Sequence, residues 1–92
     1  MAKELCFITV LGEDQKGIIA KISSLLFENG INIEDVSQKI IDGYFVMSMM
    51  TDVGDAKVAM EELRGKLDVL GEKMNLKIQV QHEDIFKAMH RV

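Results

Sequence analysis

The residues with the clearest capacity for chemistry lie between positions 11 and 33, where a short acidic loop precedes an amphipathic helix. Gly17, Ile18 and Ile19 open that helix, and the first N–H groups of a helix have no partner within it and lie at the positive end of its dipole. A small anion can bind to such groups. Asp14 precedes them and offers a carboxylate to an ammonium group, so the stretch can complement both ends of a zwitterionic amino acid. The residues alone favour a simpler role for Asp14, which is to cap the helix.

Other arrangements of reactive residues are weaker. Gly12 and Gly17 have the spacing of a phosphate-binding loop, but isoleucines follow where that motif needs lysine and then serine or threonine. His82 and His90 are too far apart on a continuous helix to share one metal ion. No combination of serine, histidine and acid, and no carboxylate pair, indicates catalysis. We therefore predict no catalytic residue, no metal site and no cofactor.

Composition limits the classes of protein to which the chain can belong. Its 92 residues are 48% hydrophobic and include no proline or tryptophan, which is typical of one compact domain. The net charge of −4 and the absence of any run of basic residues argue against direct binding to nucleic acid. No stretch approaches the roughly eighteen apolar residues of a membrane-spanning helix, so no membrane partner is expected. Cys6 is the only cysteine and excludes an intramolecular disulfide. The expected location is the cytoplasm.

The hydrophobic pattern predicts six elements separated by glycine-rich or acidic turns. Two of the strands are apolar almost throughout and are expected at the centre of a sheet, whereas two alternate with polar residues and are expected at its edges. Both helices carry an apolar stripe with a spacing of three and four residues. In chain order we predict a central strand over 3–11, a helix over 15–28, an edge strand over 31–41, a central strand over 44–51, a helix over 56–71 and an edge strand over 76–81.

Three local features refine this pattern. Ile33 and Val36 cannot both face the core of a regular strand because side chains alternate, so we expect a bulge or a late start of the strand. Asp42 and Gly43 have the residue types of a tight hairpin turn. Gly65 lies inside the second helix at a cost of ~1 kcal/mol relative to alanine, which indicates either a close contact or a local weakness.

The order of elements predicts an α+β fold, a ferredoxin-like βαββαβ sandwich with a four-stranded antiparallel sheet and two helices on one face. Large apolar side chains, or their alternating counterparts, must then project from the other face, which indicates an interface and a homodimer or higher oligomer. The tail over 82–92 is predicted to form a short helix that covers part of this face, on its own chain or on a partner. The side chains assigned to the interface are Phe7, Phe45, Met47, Met49 and Phe86.

An ordered set of three segments resembles the ACT domain, a small amino-acid-binding regulatory module. The segments are VLGEDQKGIIAKISSLL, ENGINIEDVSQ and YFVMSMMTD. The resemblance covers residues 3–81, so the domain is assigned to 1–81 and the tail to 82–92. The tail sequence IFKAMHRV extends the resemblance to stand-alone, single-ACT proteins of the UPF0237 type, which are similar to the ACT repeats of glycine cleavage system regulators.

The resemblance implies a ligand site at the loop after the first strand, often at an interface between ACT units. The residues implied to bind the ligand are Asp14, Gly17 and Asn32, with backbone N–H groups from Ile18 and Ile19. Many relatives have proline where this chain has Lys16, which implies a less rigid loop here. The implied function is a non-catalytic regulatory module that binds a small amino acid and modulates a metabolic enzyme or regulator. The alternative is a ligand-free module for protein–protein interaction or oligomerisation.

Overall fold

The computed structural model describes residues 3–85, which form four strands and two helices. In chain order these are β1 (Leu5–Glu13), α1 (Ile18–Glu28), β2 (Asn32–Ile41), β3 (Tyr44–Asp52), α2 (Met60–Met74) and β4 (Leu76–His82). The strands form one sheet in the order β2, β3, β1, β4, and every neighbouring pair is antiparallel. The predicted α+β fold is confirmed, including the central positions of the first and third strands.

Both helices begin later than the sequence pattern predicts. Gly17 has a left-handed backbone conformation, with φ of 86°, so the right-handed helix α1 begins only at the next residue. Helix α2 begins at Met60, and Ala56 lies in the preceding loop, where it still packs against the core. A loop residue therefore fills a position that the apolar stripe had assigned to the helix.

The irregularity of the first edge strand has a definite location. The pairing of β2 with β3 shifts register between Ile33 and Asp35, which leaves Glu34 as the extra residue of a β-bulge. Ile33 and Val36 consequently both lie on the side of the sheet that the helices cover. The predicted bulge is confirmed, and it reconciles two apolar residues that regular alternation would have separated.

Two predictions concerning glycine are also resolved. Asp42 and Gly43 have φ values of 50° and 82°, the pair of positive values that a tight type I′ hairpin turn requires. A β-carbon placed at Gly65 would have no atom within 4 Å. The explanation of Gly65 by a close contact is therefore wrong, and the local weakness remains.

The core lies between the helices and one face of the sheet. The side chains that β3 contributes to it are almost completely buried, and they are Phe45, Met47 and Met49. In β1 the facing positions are Ile8, opposite Met49, and Val10, opposite Met47. The prediction that these three β3 residues project from the uncovered face is therefore wrong.

The prediction assigned the alternating residues of β3 to the wrong faces of the sheet. Strand β3 carries large apolar side chains on both faces, so its alternation does not indicate which face meets the helices. Pairing with β1 decides it, and the counterparts Val46 and Met50 lie on the open face, which is the face of the sheet that neither helix covers. Phe7 lies on the open face as predicted, directly opposite Met50. The interface role of Phe7 stays a prediction.

The predicted tail helix lies largely outside the described residues, as does the interface residue Phe86. Within residues 3–85, neither helix has the length and apolar character needed to cross a membrane.

Candidate functional site

The loop between β1 and α1 is held by two long-range hydrogen bonds. The N–H of Asp14 donates to the carbonyl of Gly43 in the β2–β3 turn, at 2.9 Å. The side-chain amide of Gln15 donates to the carbonyl of Met74 at the end of α2, at 2.7 Å. These bonds fix the loop to two other parts of the fold. The lower rigidity implied by Lys16 stays a prediction.

Within the described part of the chain, the first turn of α1 presents unpaired backbone donors. The first hydrogen bond of the helix joins the N–H of Lys21 to the carbonyl of Gly17, at 3.0 Å, so the N–H groups of Ile18, Ile19 and Ala20 precede the helical ladder. No described side chain caps them. Ile18 is buried and anchors the turn, whereas Ile19 and Ala20 are exposed.

Asp14 lies three residues before Gly17 in the chain, and it is exposed. Because the cap position belongs to Gly17 and no side-chain cap is formed, the interpretation of Asp14 as a helix cap is wrong. Among residues 3–85, no hydrogen bond or ion pair engages the carboxylate. The two groups that an amino acid would need, an acceptor for its ammonium and donors for its carboxylate, therefore lie close together along the chain.

Asn32 lies elsewhere. It begins β2 just beyond the C-terminal end of α1, so the 11 residues of the helix, roughly 16 Å at 1.5 Å per residue, separate it from Gly17. Its side-chain amide donates to Glu34 at 2.6 Å, and Lys3 pairs with the same carboxylate. Within one protomer Asn32 and Asp14 therefore lie at opposite ends of α1, so the predicted role of Asn32 in the ligand site requires a second protomer and stays a prediction.

The carboxylates around Asn32 have structural partners. Hydrogen bonds from Lys3 and then from Asn32 hold the pKa of the Glu34 carboxyl below its usual value, and the same contact raises the pKa of Lys3. The pKa of Asp52 is lowered because its carboxylate accepts the N–H groups of Gly54 and Glu4. These hydrogen bonds form a polar cluster at this end of the sheet. The cluster connects Lys3 and Glu4 to the β2 bulge and to the end of β3.

The two other reactive side-chain types do not form a site among the described residues. Cys6 is fully buried, and burial raises the pKa of its thiol, which disfavours the reactive thiolate. His82 pairs with Glu4 at 2.6 Å and accepts the N–H of Asp84 at 3.1 Å. No group of three potential metal ligands occurs within residues 3–85, and His90 lies outside that range.

The side chains of the open face form rows across the sheet, and the sequence did not predict these rows. Strand pairing brings its side chains into three rows that cross all four strands, which we name by their distinctive members. In the order β4, β1, β3, β2, the lysine row is Lys77, Leu11, Val46 and Lys39, the neutral row is Gln79, Thr9, Ser48 and Ser37, and the aspartate row is Gln81, Phe7, Met50 and Asp35. A shallow groove of 740 Å³ lies over the lysine and neutral rows. The only signal in the sequence was the alternation within each strand, and the rows follow from it once the register is known.

Comparisons with known proteins agree with this architecture. A family model of the ACT domain matches residues 4–81. A UPF0237 protein of Methanocaldococcus jannaschii is 47% identical over 85 residues, which are 92% of this chain and 94% of that protein. These matches confirm the resemblance to the ACT domain and to the UPF0237 type that the three sequence segments indicated.

Solved structures extend the comparison. An ACT domain protein from Streptococcus pneumoniae superimposes with a TM-score of 0.83 at 37% identity, and the match covers 97% of this chain and all of that one. A candidate glycine cleavage system transcriptional repressor matches with a TM-score of 0.77 at 21% identity, over 89% of this chain and 47% of that one. The second likeness shows a shared fold, consistent with the predicted similarity to glycine cleavage regulators.

Proposed function

The chain belongs to the ACT domain family, and from that premise we propose that it is a non-catalytic regulatory module that binds a small amino acid where the β1–α1 loop meets the first turn of α1. One observation carries the proposal. The N–H groups of Ile18, Ile19 and Ala20 are uncapped, while the neighbouring carboxylate of Asp14 is exposed and takes no part in capping the helix.

In the proposed complex the ligand carboxylate accepts the uncapped N–H groups, and the ligand ammonium pairs with Asp14. Gly17 allows a close approach because it has no β-carbon, and a β-carbon placed there would meet only the side chain of Lys21, at 3.9 Å. The hydrogen bonds of Asp14 and Gln15 hold the loop before the ligand arrives, which reduces the ordering cost of binding. The fastened loop therefore supports a preformed site.

Regulation requires that the ligand prefer one state of an assembly. We propose that the module is homo-oligomeric and acts on a metabolic enzyme or regulator, since a ligand with different affinities for two packing arrangements shifts the balance between them. Family membership supports this part of the proposal, as do the exposed apolar side chains of the open face, which are Leu11, Ile41, Tyr44 and Val46.

Replacement of Asp14 by alanine is expected to abolish amino-acid binding. Saturation of the wild-type protein at a hundred times Kd adds ~2.7 kcal/mol of stability, which raises the Tm of a domain of this size by roughly 11–22 °C. A thermal-shift screen of the proteinogenic amino acids identifies the ligand, and Asp14→Ala is then expected to lose the shift. Asp68→Ala, which removes an exposed carboxylate from α2, is the matched control and should keep it. A shift that survives Asp14→Ala would contradict the site.

The backbone donors are tested by Ile19→Pro. Proline removes one N–H but is tolerated in the first turn of a helix, where that N–H has no helical partner. Loss of one hydrogen bond to a charged carboxylate should weaken the identified amino acid by about tenfold or more, measured by calorimetric titration. The unliganded Tm reports whether the helix is intact. Unchanged affinity in a folded variant would exclude the α1 donors.

The ligand-free interaction module is the second candidate, and the open face favours it. It predicts that no amino acid raises the Tm while self-association or partner binding persists. The same screen therefore separates the two functions, because only the regulatory module responds to a ligand through Asp14.

A further inference from the structure

We propose that the groove over the lysine and neutral rows is a second ligand site, and that it binds an elongated organic molecule with an apolar middle and a negatively charged group at each end. The groove is formed within one protomer, and its lining includes none of residues 14–20. It ends before the aspartate row, so Phe7 and Met50 do not line it. The proposal therefore goes beyond amino-acid binding and does not depend on it.

The groove has the size and the floor of a small-molecule site. Its volume of 740 Å³ lies within the range of about 300–1,000 Å³ that is typical of ligand pockets. The centre of its floor is apolar, because Leu11 and Val46 are paired in adjacent strands and are 51% and 38% exposed. Ile41 adds a third exposed apolar side chain, and the hydroxyl of Ser48 lies in the neutral row. The middle of a bound molecule can therefore cover apolar surface that water now contacts.

Each end of the groove carries a lysine. Lys77 lies beside Leu11 at the β4 edge of the sheet, and Lys39 lies beside Val46 at the β2 edge. Three strand spacings of about 4.8 Å separate the α-carbons of the two lysines by about 14 Å. Within residues 3–85, neither lysine takes part in an ion pair. Two free cations at the ends of an apolar floor match a molecule with one anion at each end.

The charge of the groove is opposite to that of the whole chain. The net charge of the chain is −4, yet the described residues that line the groove include two lysines and no acid. Glu13, the only acid of β1, lies two residues beyond Leu11 and does not line the groove. A local excess of positive charge attracts an anion in preference to a neutral molecule of the same shape.

Charge also opposes a second copy of the chain centred on the same groove. When two sheets face each other about an axis that runs along the lysine row, Lys39 and Lys77 each face their own copies. About an axis parallel to the strands, Lys39 faces the partner's Lys77. Either arrangement forms two like-charge pairs, and like charges at close range oppose association. A small dianion is therefore the occupant that the groove favours.

Titration of the full chain with decanedioate, followed by nuclear magnetic resonance, tests the site, because amide chemical shifts report both affinity and location. Saturable shifts are expected along the lysine row, above all at Leu11 and Val46. Decanoate, which keeps one anionic end, should bind about fivefold more weakly, and decanediol, which keeps none, should bind more weakly again. High salt should weaken decanedioate more than decanediol, since salt screens charge.

Lys39→Gln and Lys77→Gln each remove one of the two charges. Each is expected to weaken decanedioate by about fivefold while leaving decanoate within about twofold, because a single carboxylate can pair with the remaining lysine. The double variant should weaken both probes. Lys66→Gln is the matched control, since it makes the same change of net charge at an exposed position of α2, and it should leave both affinities unchanged. Circular dichroism melts confirm that the variants are folded.

Four results would overturn the proposal. Decanedioate could give no saturable shifts, or decanoate could bind as tightly as decanedioate, which would remove the need for two anionic ends. Shifts confined to residues 17–20 would place the probe at the first turn of α1. Lysine-row shifts that follow protein concentration without a probe, with tighter association of Lys39→Gln, would assign the groove to a second copy. Amino-acid binding through Asp14, measured by thermal shift, is unaffected by these outcomes, so the two proposals fail independently.

Discussion

Met47→Asp is expected to unfold the protein, whereas Val46→Asp, one residue earlier, should leave it folded. Met47 is 1% exposed and lies in the core opposite Val10. An aspartate there must either bury an unpaired charge or take up a proton and remain an unsatisfied polar group, at a cost of several kcal/mol. A domain of this size has about 5–14 kcal/mol of stability in total, so such a loss removes much or all of it.

Val46 is the matched control because it lies on the open face and is 38% exposed. Val46→Asp places its charge near Lys39, and its main cost should fall on association rather than on folding. Far-UV circular dichroism and the cooperativity of thermal unfolding report the difference between the two variants. Comparable melting of both variants would show that Met47 does not lie beneath the helices.

This pair of variants also marks where the sequence was informative and where it was not. The number, type and order of the elements follow from periodicity, because each apolar stripe or alternating run must bury its apolar side. The bulge at Glu34 was predictable for the same reason, since Ile33 and Val36 conflict within a regular strand. Strand β3 offered no such conflict. Both of its faces are apolar, and only pairing with β1 shows that Met47 points to the helices.

The candidate site divides in the same way. Asp14, Gly17 and the amides of α1 are neighbours in the chain, so local reasoning brought them together. Asn32 was added by family resemblance, and the length of α1 separates it from them within one protomer. The hydrogen bond from Gln15 to Met74 joins residues 59 positions apart. No local sequence pattern indicates such a bond. The rows of the open face could likewise not be predicted without the register of all four strands.

Gly71→Ala is expected to lower the free energy of unfolding by about 1–3 kcal/mol through overpacking. Gly71 is buried in α2 where the helix approaches β4, and a β-carbon placed there would lie 2.7 Å from the backbone carbonyl oxygen of Leu76. A carbonyl in a strand cannot rotate away as the end of a flexible side chain can. Helix α2 would have to lift from the strand, with a loss of contact against Ile78, which lies 3.6 Å from the same position.

Gly65→Ala makes the identical change in the same helix with nothing within 4 Å, so it should raise stability by about 0.5–1 kcal/mol. Urea denaturation of both variants at two protein concentrations separates folding from association. Because alanine gains the same helix propensity at both sites, the difference between them measures the contact of α2 with Leu76. Equal effects of the two substitutions would mean that α2 at Gly71 does not pack closely against the backbone carbonyl of Leu76 in β4.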